Sequence, residues 1–139
     1  MERGLRTPKT GGVKPRFVAF RFFPNAASAT PLTTAAGTLR DPGGLVDNVT
    51  RTAQGIFEAT MRDPAYRVTN VMASYQAAAD NVDLYAQPGD ITNEGTATPL
   101  KVKIKLKTAA VSTDPPAANT NSSVSVWLAI EDSAAGGVA

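Results

Sequence analysis

Two stretches near the C-terminus alternate strictly between apolar and polar positions. Leu100, Val102, Ile104 and Leu106 interleave with Lys101, Lys103, Lys105 and Lys107. Val124, Val126, Leu128 and Ile130 interleave with Ser123, Ser125, Trp127 and Ala129. A period of two marks a strand with one face in a core. The pattern predicts that Val102, Ile104, Val126 and Leu128 are buried on one shared face. It also predicts that the two segments pair antiparallel, joined by a long hairpin connection over residues 112–122, which are rich in Pro, Asn and Thr.

Earlier in the chain, residues 16–23 read Arg-Phe-Val-Ala-Phe-Arg-Phe-Phe and are stopped by Pro24-Asn25, which suits a strand. Apolar side chains occupy both parities there, so burial on two sides is expected, or one face sealed in an oligomer interface. Residues 24–44, with Pro24, Pro31, Pro42 and Gly43-Gly44, read as a long loop with one short strand near 38–40. Residues 45–51 and 55–61 read as strands around Thr52-Ala53-Gln54, with Phe57, Ala59 and Met61 facing away from Ile56, Glu58 and Thr60. Asp63-Pro64 signals a turn. Residues 66–69 read as a helical turn or a strand start, and 71–76 and 82–86 look extended. Residues 87–90 (Gln-Pro-Gly-Asp) and 92–98 read as irregular. Many short strands without a long amphipathic helix predict an all-β antiparallel sandwich or jelly-roll-like domain over residues 15–133. Residues 1–14 read as an extended basic arm and 134–139 as a flexible tail.

Composition narrows the chemistry. The 139 residues contain no Cys and no His, which removes disulfides, thiolate sites, the commonest general base and the commonest metal ligand. Glu131 and Asp132 are adjacent on a predicted strand and point to opposite faces, so they do not form a facing carboxylate pair. Thr10-Gly11-Gly12-Val13-Lys14 lacks P-loop spacing. Asp80, Asp83, Asp90 and Glu94 cluster in sequence without calcium-loop spacing and read as a solvated acidic stretch. No enzyme, cofactor or metal is expected. The longest apolar runs are too short to span a bilayer and no signal segment is visible, so a soluble protein made in the cytoplasm is expected.

Charge is unevenly spread. The net charge is +2, but residues 1–16 carry Arg3, Arg6, Lys9, Lys14 and Arg16 against Glu2 alone, and four lysines alternate from Lys101 to Lys107. On a strand that row shares one face and spans about 20 Å. It suits an acidic protein surface, a nucleic-acid backbone, or simply a solvated face guarding an edge strand. The absence of interleaved aromatics disfavours nucleic acid. The arm suits pairing across a subunit interface. Phe17, Phe20, Phe22, Phe23, Phe57 and Trp127 are expected in the core.

From residue 45 onward, Leu45-Val46-Asp47-Asn48-Val49-Thr50-Arg51-Thr52 followed by Gly55-Ile56-Phe57-Glu58-Ala59-Thr60-Met61-Arg62-Asp63 resembles the strand spacing of head decoration (cement) proteins of tailed bacteriophages. The resemblance covers residues 45–133. Phe57 stands where Tyr is usual, Met61 where Leu is usual, and the end reads Leu128-Ala129-Ile130-Glu131-Asp132-Ser133 in place of an aliphatic run ending Arg-Asn-Ser. The resemblance implies a non-enzymatic virion component on the outer capsid surface, with the major capsid protein as partner and a homo-oligomer, a trimer foremost. Arg3, Arg6, Lys9, Lys14, Phe17, Lys101, Lys103, Lys105 and Lys107 are then the candidate interface residues. A tail or fibre component is the alternative within virions. A carbohydrate-binding β-sandwich is the alternative outside them, drawing on Tyr66, Tyr75, Tyr85 and Trp127.

Overall fold

Alternation along each strand decides which side chains turn inward, and two sheets close over them. A computed structural model describes residues 15–24, 30–77, 84–115 and 122–132. Arm residues Arg3, Arg6, Lys9 and Lys14, the tail, and Asp80, Val82 and Asp83 lie outside them. The described residues are all-β, an antiparallel sandwich. The strands are β1 (Pro15–Phe22), β2 (Leu39–Arg40), β3 (Val46–Ala53), β4 (Ile56–Met61), β5 (Tyr66–Gln76), β6 (Tyr85–Thr92), β7 (Lys101–Thr108), β8 (Val111–Ser112) and β9 (Ser123–Asp132). The first sheet has the order β2-β1-β9-β5, and the second runs β3-β4-β7-β6 with β8 paired to the end of β7.

The core forms between them. Val18, Phe20, Phe22, Val124, Val126, Leu128 and Ile130 point in from the first sheet, and Phe57, Ala59, Met61, Val102, Ile104 and Leu106 from the second. Phe22 and Phe57 meet across the gap with ring centroids 5.5 Å apart. Burying each large apolar side chain contributes about 1.5–3 kcal/mol, which is what orients the strands.

The expected shared burial of Val102, Ile104, Val126 and Leu128 is present, and the expected pairing of their strands is not. β7 pairs with β4 and β6, while β9 pairs with β1 and β5 in the opposite sheet. Alternation specifies which face is apolar; it does not specify whether two such faces lie side by side or opposed. β7 is followed by the short β8, which pairs with it, and β9 joins the opposite sheet, so β7 and β9 are not the two arms of a hairpin.

Residues 66–76 form one continuous strand, with a bulge between Val68 and Asn70. Residues 87–90 are also strand, against the reading of Gln-Pro-Gly-Asp as irregular. β6 lies at the end of the described strand order, where Pro88 removes no hydrogen bond the sheet requires, and a register shift between Pro88 and Ile91 absorbs the rest. The short strand expected near 38–40 is β2, and β3 and β4 form the hairpin expected around residue 54.

One turn region ties the second sheet together. Gly55 has φ +68°, and an added Cβ would sit 2.5 Å from the Thr113 nitrogen and 2.7 Å from the Leu106 oxygen. Asp114 fastens the same place: it accepts from Arg51 Nε at 2.9 Å and Nη2 at 2.7 Å, and from the Gly55 amide at 2.7 Å. The fork-shaped hydrogen bond from Arg51 holds the Asp114 carboxyl below the usual carboxylate range, against a smaller opposing push from burial.

Candidate functional site

The inner faces are spent on the core, so the two outer faces carry what is left for recognition. On the first sheet, odd-numbered residues of β1 and β9 point outward. Phe17 pairs with Ala129, which in turn pairs with Asn70. One step along the strands, Ala19 pairs with Trp127 and Trp127 with Met72. The next row is Arg40, Arg21, Ser125 and Ser74. Three adjacent strands thereby gather Phe17, Ala19, Met72, Trp127 and Ala129 into one apolar area.

The large members are open to solvent: Phe17 is 80% exposed, Trp127 56% and Met72 55%. Exposed single apolar residues are ordinary on protein surfaces; three large ones in two adjacent cross-strand rows form a contiguous patch. Phe17 and Trp127 are therefore not core residues, contrary to expectation, and β1 is buried on one side only. Phe20, Phe22 and Phe57 do lie in the core, whereas Phe23, also expected there, is half-buried outside it. The cause is parity. Val18, Phe20 and Phe22 use the inward positions of β1, and Val126 and Leu128 flank Trp127 on the inward positions of β9.

Trp127 stands as a ridge among three open depressions of about 250, 310 and 160 Å³, and it lines all of them. Open hollows on either side of an indole do not enclose a small molecule as ligand pockets do. They suit a partner surface that interlocks with the ridge. At one end of the patch Arg21 donates from Nε to Ser125 Oγ at 3.2 Å, and the Arg40 guanidinium lies 4.9 Å from the Phe23 ring centroid. These contacts hold two cross-strand cations as a fixed basic rim.

The outer face of the second sheet has another character. Lys101, Lys103, Lys105 and Lys107 are half-buried along their stems and project from β7. β7 is flanked by β4 and β6, so the row does not guard an edge strand. Glu58 is the cross-strand neighbour of Lys103 and reaches Lys101 at 3.7 Å. Toward the other end the neighbours are uncharged: Ile56 and Gln87 beside Lys105, Tyr85 and Ser112 beside Lys107. The lysine row and Phe17 are thus on opposite outer faces and do not form one site.

The four aromatics considered for sugar stacking do not come together. Tyr66 is buried, Tyr75 packs partly against the core, and Tyr85 lies beside Lys107 on the face opposite Trp127. Of the acidic cluster, Asp90 is exposed on β6, while Glu94 accepts the Val68 amide at 2.8 Å. Among the described residues no group of three acidic side chains converges as a metal site, and no helix is long and apolar enough to cross a membrane.

Phe17, a candidate interface residue from the sequence, is joined on this face by Trp127, expected in the core or as a sugar-stacking aromatic, and by Met72, for which the sequence carried no expectation. The signal for Trp127 was present in the alternation itself, which puts it on the parity of Ser123 and Ser125, away from Val126 and Leu128.

Comparison with protein-family models, with curated proteins and with solved structures finds no significant match.

Proposed function

We propose that this protein is a non-enzymatic virion component, a decoration protein that docks on an assembled capsid through the outer face of its first sheet. The observation that carries the reading is the solvent-open ridge of Trp127 flanked by Phe17 and Met72 on adjacent strands. Tryptophan seated in a partner's hollow and rimmed by arginine has the composition of an interface hot spot. The mechanism is area rather than bond chemistry: each copy contributes a modest contact, and lattice symmetry repeats it. The resemblance of residues 45–133 to decoration proteins supplies the choice of capsid as partner, and a trimer fits a three-fold position on a shell.

Mass spectrometry of particles purified from producing cells tests the reading. The expected result is a fixed number of copies per lattice position, with saturable binding to expanded capsids and loss of heat resistance in particles lacking the protein. Absence from the particles, with the protein present in the same cells, overturns it.

A further inference from the structure

The outer face of the second sheet carries a pattern that the docking reading leaves unused. We propose that the β7 lysine row binds an extended acidic polypeptide segment whose carboxylates recur at every second residue.

Three observations lead there. β7 is already hydrogen-bonded on both sides, by β4 and β6, so a partner cannot add to it as a further strand and must lie across its outer face. Successive ammonium stems leave the strand about 6.6 Å apart, two residues at roughly 3.3 Å each, and any second extended chain has that same repeat. A carboxylate at every other position therefore stays in step with the whole row, whereas clustered carboxylates do not.

The row is also under-compensated. Glu58 contacts Lys101 at 3.7 Å, Asp90 lies in the β6 bulge opposite Lys103 without pairing to it, and no other ion pair to the row forms among the described residues. Three like charges in line repel one another, and a complementary anion relieves that repulsion. The stems are supported for the purpose. A Cβ on Gly89 would lie 3.0 Å from Lys105 Cε and 3.1 Å from Lys103 Cβ, so the missing side chain at the β6 bulge is what lets both lysines lie over that strand. The partner is polypeptide rather than nucleic acid because the row lacks interleaved aromatics on which bases stack, with Tyr85 at one end only.

The test uses the full chain and three fluorescent probes: an eight-residue peptide alternating Glu and Thr, its isomer with four Glu followed by four Thr, and an oligothymidylate of matched charge. Anisotropy at low salt is expected to rank the alternating peptide first, about fivefold or more above its block isomer. Lys103→Gln with Lys105→Gln is expected to weaken it about tenfold, within the range that loss of two exposed ion pairs gives. The melting curve of that variant should match the wild type. Equal binding of the two peptides, tighter binding of oligothymidylate, unaltered binding by the double variant, or no binding at low salt each overturns the proposal. None of these outcomes bears on the docking role of Trp127, which lies on the opposite face.

Discussion

The two sheets present the same chemistry inward and opposite chemistry outward. Inside, both supply Val, Ile, Leu and Phe to a single core. Outside, the first sheet offers Phe17, Met72 and Trp127, and the second offers four lysines. The central strands of the two outer faces, β9 and β7, alternate cleanly on their inward side, so neither face arises from a weak strand. Outward positions on a stable sheet are free of the core's demands, and side chains there can be chosen for recognition. The difference between the faces concerns the kind of force used. An apolar ridge works by excluding water, nearly independently of salt, whereas a lysine row works through charge and fades as ions screen it.

The sharpest way to break this division is along one strand. Ile104→Asp should abolish folding, because an unpaired buried carboxylate costs several kcal/mol, on the order of the whole stability of a small domain. Lys103→Asp, its neighbour on the outward side, should leave a folded protein. Circular dichroism melts of the two variants check this, and similar melts would contradict the assignment of faces.

Next in size is Gly55→Ala. The new Cβ has no room against the Thr113 and Leu106 backbone, and the residue is held at φ +68°. The expected loss is about 2–4 kcal/mol, from overpacking together with backbone strain, read from urea unfolding. Both outer faces should keep their binding at temperatures where this variant stays folded.

A pH effect follows from Asp114, which Arg51 holds below the ordinary carboxylate range. The unfolded chain then binds the proton better than the folded one. The stabilisation is complete above the unfolded carboxylate value near 4 and is lost as pH falls through the lower folded value. Melting temperature measured downward from about pH 5 should drop, and Asp114→Asn should flatten that part of the profile while lowering stability at neutral pH.

A smaller change of opposite sign is expected in the turn between β7 and β8. Ala109 and Ala110 have φ of 48° and 73°, a left-handed pair that Asn-Gly adopts with less strain. Replacing them by Asn and Gly should raise stability by about 1 kcal/mol, detectable as a higher urea midpoint. Smallest of all, Trp127→Ser should shift stability by less than about 0.5 kcal/mol, since the side chain is largely exposed, yet it should remove docking.

That Ala-Ala turn also shows where the sequence ran out. Strands β4, β7 and β9 were legible because their alternation is clean, and so was the all-β class. The β8 hairpin was not, because Ala109-Ala110 carries none of the glycine or asparagine that marks such turns. β6 was hidden by Pro88-Gly89, which reads as a loop until its place at the sheet margin is known. That β7 and β9 lie in opposite sheets was not legible, because periodicity is a property of one strand and does not specify its partner. On the surface, the lysine row was visible as a pattern, though not as an interior strand. The Trp127 patch was half visible: Phe17 stood out, but only register places Met72 and Trp127 beside one another.

Trp127 is the chain's single tryptophan, so its environment reports on the proposed docking face alone. With 5-fluorotryptophan incorporated, its fluorine resonance can be followed in the free protein and on saturated capsids without interference from capsid tryptophans. If this face docks, the signal is solvent-sensitive in the free protein, and it shifts and becomes insensitive to exchange between light and heavy water once the protein is bound. A protein that saturates the capsid while its Trp127 signal keeps its solvent response would contradict the claim that this face does the docking.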